Sequence, residues 1–160
     1  MAQAQPHTPK KATAPSKMKS MAKSATKEPS WSHGRFFWNE LMVHDLERTK
    51  SFYKQTLGWT FDPMPMAGGE GTYWIIKSSG QMVGGLFQMT DPAMQQVPEG
   101  WMGYIAVDDV DARVKLALTA GAHLMKPIFD IPEVGRTAIL RQPGGAPICW
   151  ITPVMQYQRA

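Results

Sequence analysis

The chain has 160 residues, 43% of them hydrophobic, a net charge of +4 and a single cysteine. This length suits one domain with a sizeable core and is short for two, and a lone Cys149 excludes an intramolecular disulfide framework or a cysteine-only metal cage. The charge is unevenly placed: residues 1–33 hold six lysines and one glutamate, a net +5 against +4 for the whole chain, which leaves residues 34–160 at about −1.

Residues 1–33 are rich in Lys, Ala, Ser, Thr, Pro and Gln, with methionine the only large apolar type before Trp31. Such a stretch cannot bury enough apolar surface to offset its chain entropy, so a disordered tail is expected. Its lysines suit a loose, sequence-independent contact with nucleic acid, or simply solubility. Nothing in it has the apolar run of a signal peptide, and no segment is long enough to span a membrane, so a reducing, cytoplasmic setting is expected.

Residues 35–43 read as a strand, with Trp38, Glu40 and Met42 on one face and Phe37, Asn39, Leu41 and Val43 on the other. Asp45 then offers a helix N-cap, Leu46, Thr49, Phe52, Tyr53 and Leu57 recur at helical spacing, and Gly58 supplies a left-handed stop. Residues 59–64 form a short strand that Pro63 and Pro65 place at an edge or a bend. A hairpin follows, from residues 72–77 through a turn at 78–80 to residues 81–89, the second strand carrying Gly84 and Gly85. Residues 91–100, with Pro92 and Pro98, are a crossover.

The pattern then returns 64 residues later. Residues 101–107 repeat the strand, Asp109 the cap, and residues 110–120 the helix, with Val110, Val114 and Leu118 on one face and Gly121 as the stop. Residues 122–130 read as a strand, and residues 135–141 and 146–152 as a hairpin turning through Gln142, Pro143, Gly144 and Gly145. The prediction is therefore an α+β domain over residues 34–155, built from two βαβββ modules at 35–90 and 100–153, with a short tail at 156–160. Neither module can bury both faces of its sheet alone. Paired, they form a curved mixed sheet, a half-barrel with helices on the outer face and a concave inner face open to a ligand.

The run Val43-His44-Asp45-Leu46-Glu47, then Ser51-Phe52-Tyr53 and Leu57-Gly58-Trp59, with Val107-Asp108-Asp109-Val110 and the closing Gln142-Pro143-Gly144-Gly145, resembles the vicinal oxygen chelate superfamily. That superfamily includes glyoxalases, bleomycin-resistance proteins, fosfomycin-resistance enzymes and extradiol dioxygenases. Trp38-Asn39-Glu40-Leu41 is most similar to its hydroxylase or antigen-type branch. The resemblance covers roughly residues 35–153 and implies a divalent metal held on the concave face by His, Gln or Glu. The positions it assigns to those ligands are Trp38, Gly85, Met102 and Cys149. One thiol cannot replace several oxygen or imidazole ligands at fixed distances, so the usual metal site is expected to be lost. No cofactor is predicted.

Glu40 shares the inward face of Trp38 and is the candidate general acid or base, raised in pKa by burial if unpaired; a structural partner such as Arg141 or a tyrosine hydroxyl is the alternative. His44 beside Asp45 and the lone His123 fit surface or structural roles better. Cys149, between Ile148 and Trp150, reads as a buried, unreactive thiol. Tyr73 and Trp74 point to opposite faces, so one of them lines the cleft. The expected cleft is Trp38, Glu40, Tyr73, Gly85, Met102 and Cys149, binding a small hydrophobic or aromatic molecule in the manner of a bleomycin-resistance protein, in a chain that forms a homodimer. The alternatives are a lyase or oxygenase of the family using Glu40 or a histidine, with or without a displaced metal, and an interaction scaffold whose tail makes the contact.

Overall fold

Nine strands and two helices occupy the residues that the computed structural model describes, 31–66 and 71–154. The first module runs β1 (Phe36–Val43), α1 (Leu46–Leu57), β2 (Thr60–Pro65), β3 (Thr72–Ser78) and β4 (Gln81–Gln88). The second runs β5 (Gly100–Ala106), α2 (Val110–Thr119), β6 (His123–Leu124), β7 (Phe129–Ile131), β8 (Gly135–Arg141) and β9 (Pro147–Pro153). Both helices start as the sequence implies: the Asp45 carboxylate accepts from the Arg48 amide, and the Asp109 carboxylate from the Ala112 amide, each at 3.0 Å. Gly58 takes the left-handed conformation, with φ 66°, and returns its amide to the Lys54 carbonyl at 3.2 Å.

The strands join one sheet in the order β2, β3, β4, β1, β5, β9, β8, β6, with β7 also paired to β8. The two modules meet at the antiparallel pair β1 and β5. There Trp38 lies opposite Tyr104, Asn39 opposite Gly103 and Glu40 opposite Met102. Adding the 64-residue offset to Trp38 gives Met102, and adding it to Glu40 gives Tyr104, so the first and last pairs are images of each other. A pseudo-two-fold axis therefore passes between Asn39 and Gly103. The same symmetry governs the parallel pairs, where Glu40 faces Gly85 in β4 and Tyr104 faces Cys149 in β9.

Both helices cover one face of the sheet. Val110, Val114 and Ala117 of α2 pack onto Ala138 and Leu140 of β8, and Arg136 of β8 ties the helix down through Asp111 (Nε to Oδ2, 2.6 Å) while also reaching Asp130. Over the first module, Leu41, Val43, Ile76 and Leu86 lie beneath Leu46 and Tyr53 of α1. Here the helix stands on aromatic rings: Tyr53 stacks on Trp59 with centroids 4.7 Å apart, and Lys50 Nζ lies 3.0 Å from the Trp74 ring centroid. The opposite face carries no helix, yet Ala106, Thr137, Cys149 and Ile151 on it are fully buried. A side chain as small as alanine on a flat, uncovered sheet would be exposed, so the sheet curls and the larger inner-face side chains close over it.

Several local expectations give way. The strand expected at residues 122–130 is two short strands, β6 and β7, because Pro127 between them has no amide to give a ladder. Phe52 and Leu57 are exposed, and no residue of α1 is fully buried. In α2 Ala117 takes the buried position and Leu118 faces outward, because the helix needs a small side chain where it approaches the sheet. Phe37 packs in the same cluster as Trp38, since a bulge between Phe36 and Trp38 breaks the alternation. Residues 1–30 of the expected tail, and residues 155–160, lie outside the described residues. Residues 31–33 belong with the fold: Trp31 packs against the inner-face cluster, the His33 ring accepts from the Asp108 amide at 3.2 Å, and next to them Gly34 donates to the Ala106 carbonyl at 2.7 Å.

Candidate functional site

Strand alternation sends Trp38 and Glu40 of β1, Tyr73 of β3, Met102 and Tyr104 of β5 and Cys149 of β9 to the helix-free inner face. Gly85 lies between Glu40 on one side and Ile75 on the other. Its lack of a side chain is what builds the site: a Cβ there would land on the Tyr73 hydroxyl and come within 2.7 Å of Tyr73 Cε1. The space that a ligating side chain would fill at this position is taken by a tyrosine from the neighbouring strand. Gly84 also permits close approach, since a Cβ would stand 2.9 Å from the Asn39 carbonyl.

The hydroxyl seated over Gly85 belongs to a directed hydrogen-bond chain. Trp38 Nε1 donates to Tyr73 Oη at 2.8 Å. An indole N–H can only donate, so the Tyr73 oxygen accepts and its own proton is free to go elsewhere. It goes to Glu40, which also accepts from Tyr104 Oη at 3.0 Å. Burial pushes the Glu40 carboxyl above its ordinary 4.5, and the hydroxyls of Tyr73 and Tyr104 pull it part of the way back. Tyr104 is raised in turn, by burial first and then by the Glu40 charge, and keeps its proton. Cys149 is raised for the same two reasons. A low-dielectric floor thus holds one acid under two phenols, with a protonated thiol beside them.

Five of the six expected cleft residues gather here, namely Trp38, Glu40, Tyr73, Gly85 and Cys149, and half-buried Met102 lies across from Glu40 on β5. Trp38 is mostly buried, so its ring forms floor, and the partner of Glu40 is a pair of tyrosines where Arg141 was an alternative. Arg141 is exposed at the end of β8, paired with His123 and Pro147. Trp74 faces α1. His44 lies at the end of β1, with Nε2 3.1 Å from the Val97 carbonyl and its amide donating to Glu99 Oε1 at 2.6 Å. Tyr104 is the residue the sequence reading passed over, although the offset that carries Trp38 to Met102 also carries Glu40 to Tyr104.

A divalent ion of the kind found in the family needs several oxygen or imidazole ligands. The donors around Glu40 are one carboxyl, two tyrosine hydroxyls and a thiol held protonated, and no group of three or more His, Cys, Asp or Glu among the described residues could hold a metal ion. These residues do not fit one.

Two modules of βαβββ joined at their first strands, with helices on one face and a polar cluster on the other, define a class. The chain belongs to the vicinal oxygen chelate superfamily. The bleomycin resistance protein-like N-terminal family matches residues 35–69. A Mycobacterium tuberculosis protein named "Putative glyoxylase CFP32" is 35% identical over 122 residues, which are 76% of this chain and 47% of that protein. The anthracycline biosynthesis protein DnrV of Streptomyces peucetius is 30% identical over 133 residues, 74% of this chain and 47% of that protein. The chain thus spans about half the length of the curated relatives it matches. Among solved structures, methylmalonyl-CoA epimerase from Mycobacterium tuberculosis has a TM-score of 0.55 at 17% identity, covering 83% of this chain and 94% of that one. Protein BH1468 of Bacillus halodurans has a TM-score of 0.59 at 14% identity, covering 79% and 99%. These likenesses show the fold. No helix among the described residues is long and apolar enough to cross a membrane.

Proposed function

We propose that this chain is a small-molecule-binding module of the bleomycin-resistance-like kind, which takes a flat hydrophobic or aromatic ligand on its inner face without a divalent metal. The observation that carries this reading is the chain from Trp38 through Tyr73 to Glu40 and Tyr104, a hydrogen-bonded cluster in apolar and aromatic surroundings that takes up two of the four positions expected of metal ligands, Trp38 at one and the Tyr73 hydroxyl in the space over Gly85 at another. Such a floor favours an aromatic body through ring contacts and orients it through one polar atom near Glu40. Two relatives named for anthracycline biosynthesis support a fused-ring ligand.

Titrating the purified protein with fused-ring aromatics, including hydroxynaphthoquinones and anthraquinones, and following tryptophan quenching tests this reading. Micromolar binding that weakens about 3–10-fold in Tyr104→Phe is expected from the loss of one hydrogen bond. Metal analysis of the same preparation is the second arm. About one tightly held Mn, Ni, Zn or Fe per chain, with a matching thermal shift, would replace the metal-free reading.

A second reading rests on Glu40. A buried carboxyl with a raised pKa on an open sheet face suits proton abstraction from a carbon acid, as in a lyase of this superfamily. Turnover of a carbonyl substrate that disappears in Glu40→Gln, with binding retained, would favour it over sequestration. Homodimerisation also belongs to the proposal, supported by the exposed rings of Phe36, Phe52 and Trp101 on the helix-bearing side, and sedimentation velocity tests it.

A further inference from the structure

The inner face has a second polar feature, away from Glu40. Thr137 of β8 is fully buried, and its hydroxyl has no hydrogen-bond partner among the described residues. The indole N–H of Trp31 is also buried and also lacks one. Both belong to the same stretch of the face. Thr137 lies opposite Ile151 in the β8 and β9 pairing, so the two side chains share the inner face, and Trp31 packs against the cluster formed by Ile151, Ala106, Phe37 and Trp38. Ile151 is two residues along β9 from Cys149, the neighbour of Tyr104, and Thr137 lies one strand further across on β8, so its backbone position is roughly 7 Å along and roughly 10 Å across the sheet from Tyr104, about 12 Å in all.

Two donors buried without acceptors are a cost to the folded chain, since each has given up water and received nothing. An acceptor oxygen placed at Thr137 removes the cost there. Trp31 recovers its own hydrogen bond by turning outward to water. The chain from residue 33 onward stays anchored through the Asp108 amide to the His33 ring and the Gly34 amide to the Ala106 carbonyl, so the movement is a rotation of Trp31 ahead of that anchor, next to exposed Ser32.

We propose that Trp31 is a resident plug over a ligand subsite whose polar contact is the Thr137 hydroxyl. Resting on the metal-free binding reading above, the proposal also narrows the ligand to a class. The molecule is planar and aromatic, like the indole it displaces. It carries an oxygen acceptor for Thr137 at one end and a second polar oxygen for Glu40 and its tyrosines at the other. The spacing of about 12 Å between Tyr104 and Thr137 corresponds to a fused system of three or more rings bearing oxygens at both ends.

The test uses the full chain with 2,6-dihydroxyanthraquinone as probe, which carries an oxygen at each end of three fused rings, and anthracene as its oxygen-free counterpart. Removing a competing ring tightens binding, so Trp31→Ala is expected to lower the Kd of both probes about 3–10-fold, and Thr137→Val to raise it by a similar factor for the quinone alone. With 5-fluorotryptophan incorporated and the Trp31 resonance assigned through Trp31→Phe, saturating quinone moves that resonance to its exposed position in the 19F spectrum. Thr137→Val also melts no lower than the wild type, because its hydroxyl has no partner to lose. Unchanged or weaker binding in Trp31→Ala overturns the plug, and a lowered melting temperature in Thr137→Val overturns the unpartnered hydroxyl. If quinone binding responds to Tyr104→Phe but to neither Trp31 nor Thr137, the inner-face reading stands and this inference falls. If no variant binds quinone, including Trp31→Ala, both fall.

Discussion

Glu40 and Tyr104 occupy the same place in the two modules, 64 residues apart, and are joined to each other by a hydrogen bond of 3.0 Å across the pseudo-two-fold axis. The junction of the modules is therefore also the polar centre of the inner face. Substitution of either residue tests the interface and the candidate site together.

The raised pKa of Glu40 has a defined effect on stability. The folded chain holds this proton to higher pH than the unfolded chain, so between the ordinary value of 4.5 and the raised folded value the folded state binds more protons. Stability then falls as pH rises through that window and stays lower above it. Glu40→Gln carries no charge at any pH and flattens the slope. The variant is expected to melt with the wild type near pH 4, and above it near pH 8 by roughly 2–4 °C for a gain on the order of 1 kcal/mol. Calorimetric scans across this range check the sign; a wild type more stable at pH 8 than the variant would show that Glu40 is well paired as a carboxylate.

Gly85→Ala forces a methyl group against the Tyr73 ring. Overpacking of this kind costs about 1–3 kcal/mol and displaces Tyr73 from both Trp38 and Glu40. Combining it with Tyr73→Leu, which shortens the obstructing side chain, makes the double variant lose less than the sum of the single losses. Urea unfolding of the four proteins in that cycle measures the coupling, and simple additivity would contradict the geometry.

Cys149 has no exposed surface, and burial followed by the Glu40 charge holds its thiol protonated. A disulfide exchange reagent at pH 8 is expected to leave it unmodified in the native protein and to titrate one thiol per chain in denaturant. Rapid native labelling would mean that the inner face opens far more often than global unfolding allows.

The two helices should differ in local stability. α2 buries Val110, Val114 and Ala117, whereas no residue of α1 is fully buried. Loss of either aspartate cap costs about 1 kcal/mol. Asp109→Ala is expected to lower the global melting temperature, while Asp45→Ala chiefly raises hydrogen exchange within α1. Amide exchange by NMR separates the two outcomes.

The parts of this structure legible in the sequence are those with local causes. Alternation marks β1, aspartate caps mark both helix starts, prolines mark β2 as an edge strand, and the 64-residue repeat yields the modules and the inner-face positions Gly85 and Cys149. Phe37 was misplaced because a bulge leaves no mark on a hydrophobic pattern. Phe52 and Leu57 were misplaced because helical spacing shows that a face exists, while the rings of Trp59, Trp74 and Trp101 decide how much of it reaches the sheet. Tyr104 could have been found by applying the repeat to Glu40. Thr137 and Trp31 could not, because an unpartnered donor is a property of three-dimensional surroundings.

The axis between Asn39 and Gly103 has one more consequence. Had both modules kept the same residues around this point, the two halves of the inner face would present identical chemistry to a flat guest in either orientation. An acid facing a phenol, an indole facing a thioether and a glycine answering a cysteine remove that equivalence, so divergence after duplication gives the inner face a front and a back.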